Sequence, residues 1–140
     1  MTPPSFIPPA FLPISMNPVS YFEIPVSDLD RAVDFYTAVF GHGFERMSID
    51  GNDMALFPNA EGAGGISGAL AKGESYVPGA AGARVYFTVT DIPAVLARTA
   101  AAGGSVLYPE TAVGNIASVA EIQDSEGNCV ALYAVLPDQR

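Results

Sequence analysis

The second half of the chain repeats the order of elements of the first, and this limits the fold more than any other feature. Residues 19–26 (VSYFEIPV) alternate as a strand does, and residues 28–40 (DLDRAVDFYTAVF) carry apolar side chains at helical spacing. Leu29, Ala32, Val33, Phe35, Tyr36, Val39 and Phe40 form one broad apolar helix face. Ser27 or Asp28 can cap the helix start, Asp30 and Asp34 suit its positive end, and Gly41 and Gly43 stop it. Extended segments follow at 43–49, 53–58 and 65–71, parted by Asp50-Gly51-Asn52 and a glycine-rich loop. After GESYVPGAAG (73–82), a linker by composition, the pattern starts again. GARVYFTV reads as a strand and residues 91–102 as a helix with Ile92, Val95, Leu96 and Thr99 inward. Strands follow near 105–109, 115–123 and 128–135, the last two joined at Asp124-Ser125-Glu126-Gly127. A shift of 63 positions lays Val26 on Val89, Asp28 on Asp91 and Gly41 on Gly104. The expected fold is α+β: two βαβββ modules, 19–71 and 83–135, whose sheets make an open cup within one domain spanning 18–136.

Composition narrows the partners. With 49% hydrophobic and 15% charged residues in 140, the chain has the balance of a globular domain with a real core. A net charge of −9 argues against nucleic acid, which is attracted by clustered cations. The six basic residues (Arg31, Arg46, Lys72, Arg84, Arg98, Arg140) are scattered. No apolar run reaches the roughly 20 residues that a membrane-spanning helix needs, so no membrane partner is expected. The start, MTPPSFIPPAFLPISM, is apolar but broken by prolines and lacks a basic lead, unlike a signal peptide. It reads as an extended proline-rich arm over residues 1–17, one that packs on a neighbouring subunit or precedes a translation start at Met16. The single cysteine, Cys129, forbids an internal disulfide and suits a reducing, cytoplasmic setting.

The segments FEIPVSDLDRAVDFYTAVFG and YFTVTDIPAVLARTAAAGG, with QDSEGNCVALY near the end, resemble the vicinal oxygen chelate superfamily. That superfamily includes glyoxalase I, bleomycin-resistance proteins, fosfomycin-resistance enzymes and extradiol dioxygenases. The likeness covers about residues 17–136 and is nearest in kind to short bacterial chains related to lactoylglutathione lyase. It implies paired βαβββ modules around a cup, commonly stabilised by a two-fold partner, so a homodimer is expected. It also implies where a metal would sit, since metal-dependent members place His on the first strand of each module and Glu on the last strand. Here those positions are Tyr21, Arg84 and Ala131. None is a good ligand, and a guanidinium that stays protonated repels a cation. No metal and no other cofactor is expected.

Strand alternation then gives the lining of the cup: Tyr21 with Glu23, Arg84 with Tyr86, and Cys129, Ala131 and Tyr133 on the last strand. A few polar groups in an apolar concavity suit a small organic ligand. Glu23 is the candidate general base, and Arg84 a candidate clamp for a carboxylate. The plainer reading is that the two neutralise each other across the cup as a buried pair, with Arg84 also touching ligand. The tyrosines are hydrogen-bond donors to a ligand or ordinary core. The loop Gly62-Ala63-Gly64-Gly65 precedes a strand and lacks a Walker lysine, so it reads as a turn. Cys129 reads as a buried thiol, and His42, the sole histidine, as a surface or packing residue.

Three functions compete: a metal-free binding module, a lyase or isomerase using Glu23 for proton transfer, and a metal enzyme with atypical ligands among Glu23, Glu110 and Glu121. The first is the reading the residues favour, with a small organic molecule as its ligand.

Overall fold

Helix α1 (Leu29–Phe40) forms where the apolar spacing places it, and its ends are chemically marked. The Asp28 carboxylate accepts from the Arg31 amide at 3.0 Å, and Gly41 closes the helix in the left-handed region at φ 77°. The computed structural model describes residues 17–137. The expected proline-rich arm lies outside them except for Asn17. Around α1, strands β1 (Phe22–Pro25), β2 (Glu45–Ile49), β3 (Asn52–Leu56) and β4 (Gly68–Lys72) make one sheet in the order β1-β4-β3-β2. The second module repeats it: β5 (Tyr86–Thr88), α2 (Ile92–Ala101), β6 (Ser105–Val113), β7 (Ala117–Gln123) and β8 (Cys129–Val135), with sheet order β5-β8-β7-β6. In each sheet the first strand runs parallel to the last and the other pairs are antiparallel. Two βαβββ modules therefore stand as the duplication predicts.

Boundaries differ in instructive places. The segment 82–89 yields only a three-residue strand, β5, which lies at the sheet edge and pairs with β8 alone. β6 runs on to Val113, well past the expected stop near 109. Register shifts between Val106 and Tyr108 and between Tyr108 and Thr111 let Pro109 sit in an outer strand without breaking it. Gly68 is required where β4 meets β1, since a Cβ there would collide with the Phe22 carbonyl.

The core lies between the sheets and the two helices. Ile24, Ala55 and Leu70 meet Leu29, Ala32, Phe35 and Val39, and this cluster continues through Ile92, Val95, Ile122 and Leu132 of the second module. Each buried Val, Leu, Ile or Phe of this cluster contributes roughly 1.5–3 kcal/mol. The modules are also latched by polar groups. Arg98 Nε of α2 donates to the Val39 carbonyl at 2.9 Å, and the β7–β8 hairpin grips α1. Tyr36 Oη donates to Asp124 Oδ2 at 2.6 Å inside the core. Asn128 Nδ2 donates to the Pro25 carbonyl at 2.8 Å. The Glu126 carboxylate accepts from the Ser27 and Asp28 amides at 2.9 and 3.0 Å and from Arg31 Nε at 2.7 Å.

Candidate functional site

The face of each sheet turned away from its helix carries the residues that strand alternation singles out. On the first sheet, register places Glu23 beside Ala69, and Ala69 beside Leu56. Ala69, Ala71 and Met54 form a small apolar floor, packed by Leu56 and Tyr76. Over it Glu23 holds two phenols: Tyr21 Oη donates to Oε2 at 2.9 Å and Tyr76 Oη to Oε1 at 2.7 Å. Burial and the bond to Glu23 push the Tyr21 hydroxyl up to about 12. The bond to Glu23 also raises Tyr76. Both phenols therefore stay protonated at neutral pH and serve as donors, not bases.

The equivalent row on the second sheet is Tyr86, Ala131, Glu121 and Tyr108. Arg84 Nη1 reaches Glu121 Oε2 at 3.0 Å, and Cys129 Sγ lies 3.8 Å from Glu121 Oε1. The field of Glu121 raises the Arg84 guanidinium above its ordinary value. Tyr133 is half-buried, in register with Thr88 and Val119.

The expected pairing of Glu23 with Arg84 does not form. Each finds other partners: Tyr21 next to β1 and Tyr76 of the linker for the acid, and Glu121 of β7 for the base. Both are exposed, so neither suffers the desolvation that would force them together. The cleft that Arg84 and Tyr86 line does not include Glu23. The structure thus separates the candidate residues into two groups, Tyr21 and Glu23 with the first sheet and Arg84, Tyr86 and Tyr133 with the second. Tyr76 lies in the 73–82 linker, where no periodicity points inward; an aromatic amid Gly and Pro is its only sequence signal. Glu121 was within reach of the alternation of ASVAEIQ.

A metal does not fit these residues. Ala131 is fully buried and has no donor atom, and Arg84 brings a positive charge to its row. Among the described residues no three His, Cys, Asp or Glu side chains gather to hold an ion. His42 packs as the sequence suggests, stacked on Phe40 at 5.5 Å and 8° and edge-on to Phe57 at 5.4 Å.

Comparison with known proteins agrees with this architecture. No curated protein matches in sequence. Among solved structures, a glyoxylase/bleomycin resistance protein/dioxygenase domain from Frankia sp. EAN1pec has a TM-score of 0.67 at 19% identity, covering 87% of this chain and all (100%) of that one. TnmS3, an antibiotic binding protein from Streptomyces sp. CB03234, has a TM-score of 0.64 at 22% identity over 88% of this chain and 99% of its own. TioX from Micromonospora sp. ML1 has a TM-score of 0.61 at 26% identity over 84% and 98%. The family model for glyoxalase, bleomycin resistance protein and dioxygenase matches residues 19–132. The duplicated βαβββ fold and this match, which spans most of the sequence, place the chain in one family: it belongs to the glyoxalase/bleomycin resistance protein/dioxygenase superfamily.

Proposed function

We propose that the protein binds a small organic cation on the open sheet face around Tyr21, Glu23 and Tyr76, without a metal ion, to sequester or sense it. The observation that carries this reading is the Glu23 carboxylate held between two phenols above a floor of alanines. A carboxylate flanked by aromatic rings offers charge and ring faces to an organic ammonium at once. The net charge of −9 favours the same guest. Tyr21, Arg84 and Ala131 at the metal-ligand positions support a metal-free site. TnmS3, named as an antibiotic binding protein, supports small-molecule binding on this fold.

The exposed apolar side chains of the outer strands, Met47 and Ile49 on β2 and Val106, Leu107 and Tyr108 on β6, call for cover. A second copy is the cover proposed here, making a homodimer; light scattering that shows a monomer at micromolar concentration would refute it. Free Cys129 suits a reducing, cytoplasmic setting.

The test is a fluorescence titration with N-methylacridinium, a flat organic cation. Saturable binding that survives a chelator and weakens at least about tenfold in Glu23→Gln is expected. Binding that needs added Zn, Ni, Mn or Fe, or about one such ion per purified chain, would overturn the reading. Glu23 between two phenols also offers an acid–base path. Turnover that falls about 10²–10⁴-fold in Glu23→Gln, with affinity kept within about tenfold, would establish a lyase or isomerase instead.

A further inference from the structure

The cleft that Arg84 and Tyr86 line opens on the side of β1 away from Glu23. It has a volume of about 660 Å³ and is walled by Phe22, Phe57, Ile66, Val85 and Phe87, with His42 in its lining. That volume falls in the range of small-molecule sites, roughly 300–1,000 Å³. The three phenylalanines face one another closely: Phe22 and Phe57 at 5.5 Å, Phe57 and Phe87 at 5.6 Å, Phe22 and Phe87 at 6.1 Å. Such a wall takes flat aromatic guests edge-on or offset.

The polar groups around the cleft are mostly engaged. Ser67 Oγ donates to the Pro58 carbonyl at 2.7 Å, and Arg84 is paired with Glu121 at 3.0 Å. A charged guest therefore meets no free counter-charge from either. His42 is different. Its Nδ1 is buried with no hydrogen-bond partner among the described residues. A buried N–H without an acceptor is the costlier of the two unmet states. The proton consequently belongs on Nε2, the other ring nitrogen, which also has no protein partner among the described residues. Burial holds the imidazole below its ordinary value, so the ring is neutral near pH 7. Stacking on Phe40 and the edge contact with Phe57 fix its plane.

We infer that this cleft is a second ligand site, for a neutral aromatic molecule bearing a carbonyl or ether acceptor for the His42 Nε2–H. The site is separate from the Glu23 face, because strand alternation turns Phe22 and Glu23 to opposite sides of β1.

The chain has one histidine, so a single imidazole reports on the cleft. The experiment is a titration of the full chain with 2-acetylnaphthalene, followed by the ¹⁵N shifts of His42, with naphthalene as the probe that lacks the acceptor. The ketone is expected to move the Nε2 signal saturably and to bind more tightly than naphthalene. His42→Phe keeps the aromatic stack, so it should weaken the ketone about tenfold and leave naphthalene within about twofold. A histidine signal unmoved by the ketone would overturn the inference in the wild-type protein alone, whether or not the variant folds. Equal loss of ketone and naphthalene in His42→Phe would overturn it too. Glu23→Gln leaves this binding unchanged if the two sites are separate.

Discussion

Replacing Glu126 with glutamine removes one charge from the junction between the modules and leaves the side chain's shape intact. The Glu126 side chain is fully buried, while Arg31 opposite it is 53% exposed. Burial alone would raise the Glu126 carboxyl, but Arg31 and the amides of Ser27 and Asp28 outweigh it and hold the group at about 2, against an ordinary 4.5. A depression of about 2.5 units corresponds to about 3.4 kcal/mol of stability at neutral pH. Solvent reaches Arg31 and screens part of it, so about 2 kcal/mol is the expected loss in Glu126→Gln. For a chain of this size that is about 6–8 °C in Tm. The sign follows from the direction of the shift. A carboxyl with a lowered folded-state value stabilises fully above its unfolded value, and the benefit fades as pH falls from about 4.5 through about 2. Thermal melts of both proteins by circular dichroism should show the full gap at pH 7 and less than half of it at pH 3. A gap of the same size at both pH values, or none at pH 7, would refute this account.

Tyr36→Phe deletes the buried donor to Asp124 and should cost about 1–3 kcal/mol in urea unfolding; a cost under about 0.5 kcal/mol would mean that the bond contributes little. Gly68→Ala forces a methyl group into the Phe22 carbonyl and should cost about 3 kcal/mol or more, read by the same unfolding curve. Arg84→Met breaks only an ion pair with 46% of the arginine side chain exposed, so its melting should stay within about 1 kcal/mol of wild type. A loss of about 3–5 kcal/mol would instead mark the Arg84–Glu121 pair as buried and refute this reading.

Local signals carried far in this chain. Helix spacing and the Asp28 cap placed α1 within a residue of its observed start, and strand alternation put Tyr86 and Ala131 on one face, where register pairs them. Partner choice was less legible, since alternation says which way Glu23 faces but not what comes to meet it. Tyr76 comes from a loop whose path depends on tertiary contacts, among them Gly79 N donating to Asn128 Oδ1 at 2.9 Å. The continuation of β6 past Pro109 depends on bulges that compositional punctuation cannot reveal. The sequence marks His42 as a surface or packing residue, but the unmet nitrogen within its ring stack is a property of three-dimensional neighbours.

The Glu126 latch makes the two halves of the chain unequal heirs of their common plan. Shifted by 63 positions, Ser27, Asp28 and Arg31 become Thr90, Asp91 and Ala94, so the second helix has lost the cation that would receive an acidic hairpin. The first module's corresponding loop, Phe57 to Ser67, in turn lacks the Asp124-Ser125-Glu126-Gly127-Asn128 sequence. One half has become the lock and the other the key. A chain assembled from two first halves would present two receiving helices, with Ala63 at the position that matches Glu126. One assembled from two second halves would present two such acids, each facing Ala94 where Arg31 stands in the first helix. The two modules thus contribute different halves of one junction, and neither sequence can stand in for the other there.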